Sequence, residues 1–499
     1  MSNRGPVKAL SSCLAMSRLR LLSFEKTLIR IVAAATVGLV AINGTISAQE
    51  CGIIYVSTSG TPGGAATKAN PVDLLTGISM ATASMRTVRL QTGTYVLSQT
   101  VNLPANIILE GGFTANWEKS NGAATTILRD PSNPDLNPPR LIAISAVNRQ
   151  NFRLHDLTVQ CSNALGDGIS TYGLYLNNCS DYQIIRCRII AGNAGNGVPG
   201  NPGLPGMAGT YGTEGYPGYE DAGGNNFGGI GGSGSFPGSF AGGDGGWGGA
   251  RGTYVFPDGG ETFPGEPGYL GFGPAGGLPG GGGLGIFTTI ISTQCDRTPS
   301  NDGAPGEPGQ PGLTGAPGQP GSATYAGGFF APSAGTAGGQ GTNGSGGGGG
   351  GGGGAQGGIA WIAIPPIPII LPNGDTIPPN TNGSGAGGGG GGEGGQGGYG
   401  AGGGQGGGGS FAVYVTSNGL NGKFRDCEFQ SGMAGIGGPG GIGGQGGIGG
   451  PGGPGGGFLN CDTGAGGNGG DGGQGGQGGP GGAGSDGVSM VMYEQAGGQ

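Results

Sequence analysis

From Gly52 to Gly192 the chain is a succession of short apolar and β-branched runs, broken every few positions by Gly, Asn, Pro or Asp. Ile53-Ile54-Tyr55-Val56 predicts a strand, and Val72, Leu74, Leu75 and Ile78 have the spacing of a short helix after Pro71. Further strands are expected at Val88-Arg89-Leu90, Tyr95-Val96-Leu97, Val101-Asn102-Leu103 and Ile107 to Phe113. Strands this short and this regularly spaced fit a sandwich, or a solenoid in which each coil stacks on the last.

Self-comparison favours the solenoid. Leu154-His155-Asp156-Leu157-Thr158-Val159 aligns with Ile184-Ile185-Arg186-Cys187-Arg188-Ile189, and both align with Phe424-Arg425-Asp426-Cys427-Glu428-Phe429. Upstream, Ile142-Ala143-Ile144, Leu174-Tyr175-Leu176 and Val413-Tyr414-Val415 make a second column. Strand alternation turns Leu157, Cys187 and Cys427 inward, with Val159, Ile189 and Phe429 two residues on. The outward columns then read Asp156, Arg186, Asp426 and Thr158, Arg188, Glu428. Opposite charges would face each other if the coil at 427 stacks on the coil at 187. Residues 192–409 would then be an insertion looped out of a continuous stack, since closing a long loop costs entropy only logarithmically in its length.

Residues 54–130 resemble the start of right-handed parallel β-helix proteins of the pectin-lyase-like class. The resemblance rests on Ile54-Tyr55-Val56-Ser57, the segment after Pro71, Leu90-Gln91-Thr92-Gly93-Thr94-Tyr95 and Leu103-Pro104-Ala105-Asn106-Ile107-Ile108-Leu109-Glu110-Gly111. The whole chain is similar to bacterial secreted or surface proteins of PE-PGRS-like type, whose coils carry glycine-rich inserts. The expected fold is all-β: a right-handed parallel β-helix with long glycine-rich insertions, polyproline-II/polyglycine-II-like or disordered. The expected division is coils at 49–191 and 410–434, glycine-rich inserts at 192–409 and 435–487, and the start of a further coil at 488–499. That last strand, from Val488, lacks its second half, so either a longer reading frame or an unusual cap formed by this strand is expected.

Glycine changes the picture after residue 191. Of 135 glycines, 15 precede residue 192 and the other 120 follow. Gly197 to Gly218 and Gly303 to Gly321 keep a collagen-like period of three, and the tracts from Gly435 and Gly464 carry two glycines per triplet. Period three suits an extended polyproline-II helix. Three readings compete: a flexible linker, a packed bundle of such helices, and a collagen trimer. The runs 346–354 and 387–392 argue for the linker. Within the insert, Ala360 to Leu371 is strongly apolar and Pro372-Asn373-Gly374-Asp375 suits a hairpin turn.

The N-terminus reads as an export signal over residues 1–48, with Arg18, Arg20, Lys26 and Arg30 ahead of an apolar run from Ile31 to Ile42 that is too short to span a bilayer. No transmembrane span is expected in the mature chain, which would carry 14 Lys+Arg against 27 Asp+Glu. Such a surface makes nucleic acid a poor partner. Seven cysteines remain, at irregular spacing and without a CxxC pair, and His155 is the single histidine, so no zinc site is expected. Gly481 to Val488 matches one calcium β-roll repeat where such sites need consecutive copies, so no cofactor or metal is expected.

The resemblance implies clustered carboxylates if the chain were a polysaccharide lyase or hydrolase. The stacked columns instead pair Asp156 with Arg186, an arrangement more typical of a solvated ion pair. The sequence reading is therefore an exported, non-catalytic adhesive or matrix protein at the cell surface, with polysaccharide, cell-surface or matrix components as partners. Its competitors are a carbohydrate-active β-helix enzyme and an ice- or surface-binding glycine-rich bundle.

Overall fold

The computed structural model describes residues 52–495 apart from 83, 85, 121–123, 221–225, 251–253, 256–258, 261–262, 288–296, 326, 358–368, 371–375, 378–382 and 459–462. The export signal and the turn at 372–375 lie outside the described residues, as does most of the apolar stretch from Ala360. Strands on either side of that turn, Ile369–Ile370 and Thr376–Ile377, pair antiparallel.

The elements of the first part are β1 (Ile53–Val56), α1 (Leu74–Ser79), β2 (Thr87–Gln91), β3 (Gly93–Leu97), β4 (Val101–Asn102), β5 (Ile108–Phe113), β6 (Thr125–Arg129), β7 (Asp135–Leu136), β8 (Pro139–Val147), β9 (Arg153–His155), β10 (Thr158–Cys161), β11 (Ser170–Asn177), β12 (Gln183–Ile185) and β13 (Arg188–Ile190). After the glycine-rich region come β14 (Ser410–Thr416), β15 (Lys423–Arg425), β16 (Glu428–Gln430) and β17 (Ser489–Gln495). Asp73 caps α1, its carboxylate accepting from Thr76 N at 3.0 Å.

These strands form three sheets with parallel ladders. The first runs β1-β2-β5-β9-β12-β15, the second β3-β6-β10-β13-β16, and the third β4-β8-β11-β14-β17, with β7 antiparallel to β8. From β8 onward the chain visits third, first and second sheet in turn and repeats. This is a β-helix-like arrangement. The core lies between the sheets, where Leu109, Leu154, Ile184, Val159, Ile189, Leu174 and Val413 are all buried.

Coils far apart in sequence are neighbours. Ile184 pairs with Phe424, Ile189 with Phe429 and Leu174 with Val413. The third sheet corrects one expected register: Leu174-Tyr175-Leu176 lies beside Ile144, Ser145 and Ala146, two residues further along than Ile142-Ala143-Ile144. A two-residue slip keeps every side chain on its own face, so alternation alone could not reveal it.

The turns are built from stacked left-handed residues. Asn148, Asn178 and Ser417 form one column, Asn151, Asp181 and Asn421 a second, and Asp156, Arg186 and Asp426 a third, all with φ between +50° and +65°. The third column corrects the strand reading of those positions: they are bends between β9 and β10, β12 and β13, β15 and β16. Asn and Asp tolerate this conformation better than other non-Gly residues. Their side chains also bond along the stack: Asn178 Nδ2 donates to Asn148 Oδ1 at 2.7 Å, and Asn421 Nδ2 to Asp181 Oδ1 at 2.9 Å.

The glycine-rich segments are tied together by backbone hydrogen bonds at every third residue. Gly197, Gly200, Gly203 and their successors donate to Ile436, Pro439, Ile442 and on to Pro454. Gly303 to Gly321 do the same to Ala465 through Ala483. The run 346–354, which argued for a flexible linker, is buried throughout. A Cβ on Gly349 would fall on the carbonyl oxygen of Asp244, one on Gly350 on that of Gly467, and one on Gly351 on that of Gly281. Each of three successive residues faces a different neighbour, so none can carry a side chain. Rows with one glycine per triplet, such as 197–215, expose the other two positions. The number of glycines per triplet thus follows the number of covered faces.

Side chains return where a neighbour ends. Gly387 and Gly390 face Phe227 and Ile230, but that row turns away around Phe236. Glu393, next in the same phase, fills the gap. It has no exposed surface, and its carboxylate accepts from Thr210 N, Thr210 Oγ1 and Ser235 N, each at 2.8 Å.

Candidate functional site

The outer face of the third sheet carries an aromatic ladder. Tyr172 stacks on Phe411 at 5.2 Å, and Tyr175, Tyr414 and Tyr493 follow one another, Tyr414 and Tyr493 lying 4.6 Å apart. A strap from the glycine-rich region lies over this face, with Thr324 and Ala331 bridged. The strap seats Phe330 on Phe411 at 5.7 Å and stacks Phe329 on Tyr175 at 4.4 Å. Tyr175 donates from its hydroxyl to Gly328 O at 3.0 Å, which fixes the strap.

Where the strap ends toward β4, a cleft of about 610 Å³ opens over β4, β8 and the ends of β3 and β6. Asn102, Ser145, Arg129, Arg140, Asp135 and Phe329 are among its lining residues. Arg129 is nearly buried, its side chain 3% exposed. Its guanidinium donates to Asp130 O at 2.6 Å and to Asn133 O at 2.7 Å, folding the loop after β6 around itself. Arg129 Nε is buried and has no partner. Such a group costs about 1–3 kcal/mol, more when charged, until something accepts from it. Asp130 is held below the ordinary carboxylate range by the Ser132 hydroxyl and, against the cost of burial, by Ser132 N–H and Arg129.

Arg140 forms the opposite wall. Its Nε donates to Asp135 Oδ2 at 3.2 Å and its guanidinium lies 4.0 Å from the Phe329 ring centroid. Amides, hydroxyls and two guanidinium groups therefore surround a floor with an aromatic side. Asp135 is the one carboxylate lining the cleft, and among the described residues no group of three or more His, Cys, Asp and Glu could hold a metal ion. The arrangement can donate and accept hydrogen bonds and pack a flat apolar surface. It lacks a second acid for acid–base work.

The residues singled out from the sequence lie on the second sheet or in the bends that lead to it from the first, and none of them lines this cleft. Leu157, Val159, Cys187 and Ile189 are buried, and Cys427 and Phe429, at the edge of their sheets, are partly so. Cys187 and Cys161 are free thiols pushed up to about 12 by burial. Asp156 makes a two-pronged pair with Arg186, at 2.7 and 2.9 Å, and a further bond to Lys119 Nζ at 2.7 Å. Arg188 Nε lies 3.3 Å from Glu428 Oε1. These are exposed or half-exposed pairs worth at most about 1 kcal/mol each. Asp426 sits at the matching bend. His155 Nε2 is buried without a partner beside the strand carrying Glu110, and burial lowers the imidazole below its ordinary value. Sequence reasoning missed the cleft. Its parts come from residues 98–147, 175 and 329, and only the polar cluster Ser98-Gln99-Thr100 next to Asn102 gave a local signal.

No protein-family model matches this sequence, and no curated protein matches it. Among solved structures it is similar in shape to a rhamnogalacturonan lyase, at 12% identity over 28% of this chain and 36% of that one, with a TM-score of 0.22. Pectate lyase Pel9A is similar at 13% identity over 28% of this chain and 42% of the enzyme, with a TM-score of 0.20. The GH136 lacto-N-biosidase from Eubacterium ramulus is similar at 14% identity over 28% and 27%, with a TM-score of 0.20. The chain thus spans less than half the length of each of these structures.

Proposed function

We propose that this chain is an exported carbohydrate-recognising protein of the extracellular surface. In this reading the three sheets are a right-handed parallel β-helix, and the glycine-rich rows form a polyglycine-II-like bundle displayed beside it in PE-PGRS-like fashion. The cleft between Asn102 and Arg140 holds a polysaccharide of the cell surface or matrix. The observation that carries the reading is the combination at one place of an aromatic wall, amide and hydroxyl groups, and the guanidinium groups of Arg129 and Arg140. Sugars present apolar ring faces and rings of hydroxyls, which match such a lining.

Binding without hydrolysis is the reading the cleft favours. Most glycoside hydrolases need two carboxyl groups flanking the bond, and Asp135 stands alone and tied to Arg140. The test is affinity electrophoresis and calorimetry against neutral and acidic polysaccharides, with Arg140→Ala and Asn102→Ala. Loss of a charge-assisted bond at Arg140 should weaken binding by about 10- to 100-fold. Equal binding by wild type and both variants would remove the cleft from the function. Release of new reducing or unsaturated ends by the wild type, abolished by Asp135→Asn, would instead establish the carbohydrate-active enzyme.

A further inference from the structure

The cleft has a neighbour in the adjoining coils. A groove of about 850 Å³ runs over the ends of β10, β13 and β16, where the second sheet stops. The loop after β6 parts the two: Arg129 and Asn133 line the cleft, and Pro131 between them lines the groove. Arg129 pairs with Cys161, so the groove begins on the next coil along the stack.

The groove is lined by amides, hydroxyls and apolar groups, and none of its described lining residues is charged, in a chain of net charge −8. The stacking of the coils sets the amides. Asn163 Oδ1 accepts from Asn193 N and Asn193 Oδ1 from Met433 N, each at 2.8 Å. Gln430 Oε1 accepts from Arg188 Nη2 at 3.2 Å. An N–H can meet only the oxygen of an amide, so each contact fixes which end of the side chain is taken. The NH2 groups of Asn163, Asn193 and Gln430 are left to the groove. Leu165 and Met433, 80 and 69% exposed, add apolar surface beside them.

We propose that this groove extends the carbohydrate site and takes neutral sugar residues of a glycan whose other end lies in the cleft. The inference rests on the reading of the cleft as a carbohydrate site. Donors repeated from coil to coil suit a chain that repeats acceptors, as the hydroxyl and ring oxygens of a glycan do. An acidic sugar would leave water here without meeting a counter-charge, which is a costly transfer. The two depressions together follow the second sheet from β3 to β16, five strands, or about 19 Å at the usual strand spacing. A disaccharide fills part of that path, and a longer oligosaccharide can reach both depressions.

The experiment is an array of neutral and acidic oligosaccharides, each of two and of six sugar residues, followed by calorimetry on those that the full chain retains. Neutral hexasaccharides should bind about tenfold more tightly than the matching disaccharides, the effect of one or two added hydrogen bonds. Asn163→Asp with Asn193→Asp keeps an oxygen for the next coil's N–H and removes the donors. It should erase the gain with length and leave disaccharide binding and the circular dichroism spectrum unchanged. Leu165→Ala with Met433→Ala, at exposed positions, should reduce the same gain. Equal affinity at both lengths, a preference for acidic hexasaccharides, or a length effect that survives the Asn variants would each overturn the extension. Disaccharide binding that is weakened by Arg140→Ala would still uphold the cleft in those cases. Binding of no glycan would remove both.

Discussion

Replacing Gly350 by alanine tests whether the glycine-rich region is packed row against row. The added Cβ would lie on the carbonyl oxygen of Gly467, with the backbone of Asn468 close behind. These are main-chain atoms, so no rotamer change makes room. The rows must separate, and the bonds on either side of residue 350 share the strain: Gly350 N to Gly389 O and Gly467 N to Gly351 O, at 2.9 and 2.8 Å. Overpacking typically costs about 1–3 kcal/mol. Weakening one buried hydrogen bond adds about 1 kcal/mol or more. Gly350→Ala should therefore destabilise the region by roughly 3 kcal/mol. The control is Gly281→Ala, where a Cβ meets nothing within 4 Å. There the change should be neutral or stabilising by a few tenths, up to about 1 kcal/mol, through the unfolded chain. Denaturant unfolding followed by circular dichroism, with amide exchange of residues 347–353, reads the difference. If the two variants agree within about 0.5 kcal/mol, residues 346–354 are not enclosed by three neighbours.

Glu393 links the same region to pH. Burial pushes its carboxyl up, but the N–H groups of Thr210 and Ser235 and the hydroxyls of Ser239 and Thr210 outweigh that and hold it below its ordinary value of 4.5. A lowered folded pKa gives stability that is present above 4.5 and lost as pH falls through the folded value, so acid titration should loosen the turn at 233–240 first. Glu393→Gln should lose about 2 kcal/mol at neutral pH and flatten that acid limb, which thermal unfolding at several pH values would show. Asn178 holds a left-handed corner, so Asn178→Ala should cost about 1–2 kcal/mol and Asn178→Gly distinctly less; equal costs in denaturant unfolding would deny the backbone argument. Among the thiols, half-exposed Cys427 should be alkylated in the native protein while Cys161 and Cys187 are spared until unfolding, as peptide mass mapping can read.

The coils were legible because short strands repeat, and because Phe424 to Phe429 echoes Ile184 to Ile189 despite the long separation. The third-sheet register was not, since a slip of two preserves the alternation of Ile142, Ile144 and Ala146. Reading Asp156 and Arg186 as strand positions overlooked a signal in plain sight: Asn148, Asn151 and Asn178 mark left-handed corners, and the same corner recurs at 156 with less telling residues. The glycine runs misled because a residue with no side chain looks the same whether solvated or enclosed. Their phase with the flanking triplets, such as Asn343 three positions before Gly346, was the missing clue: Asn343 Nδ2 reaches Gly238 O at 2.7 Å where the adjoining row has turned away. The cleft could not be foreseen, because its strap arrives from more than a hundred residues downstream.

Enclosure on three sides gives the glycine region a reading frame of its own. Deleting one residue from 346–354 would rotate everything beyond it by a third of a turn, driving Ser345 or Ala355 into a neighbouring carbonyl. Deleting three would shorten the row and leave its phase intact. Length variation in such a chain should be tolerated in multiples of three and selected against otherwise, a periodicity of insertions and deletions set by packing and not by the genetic code.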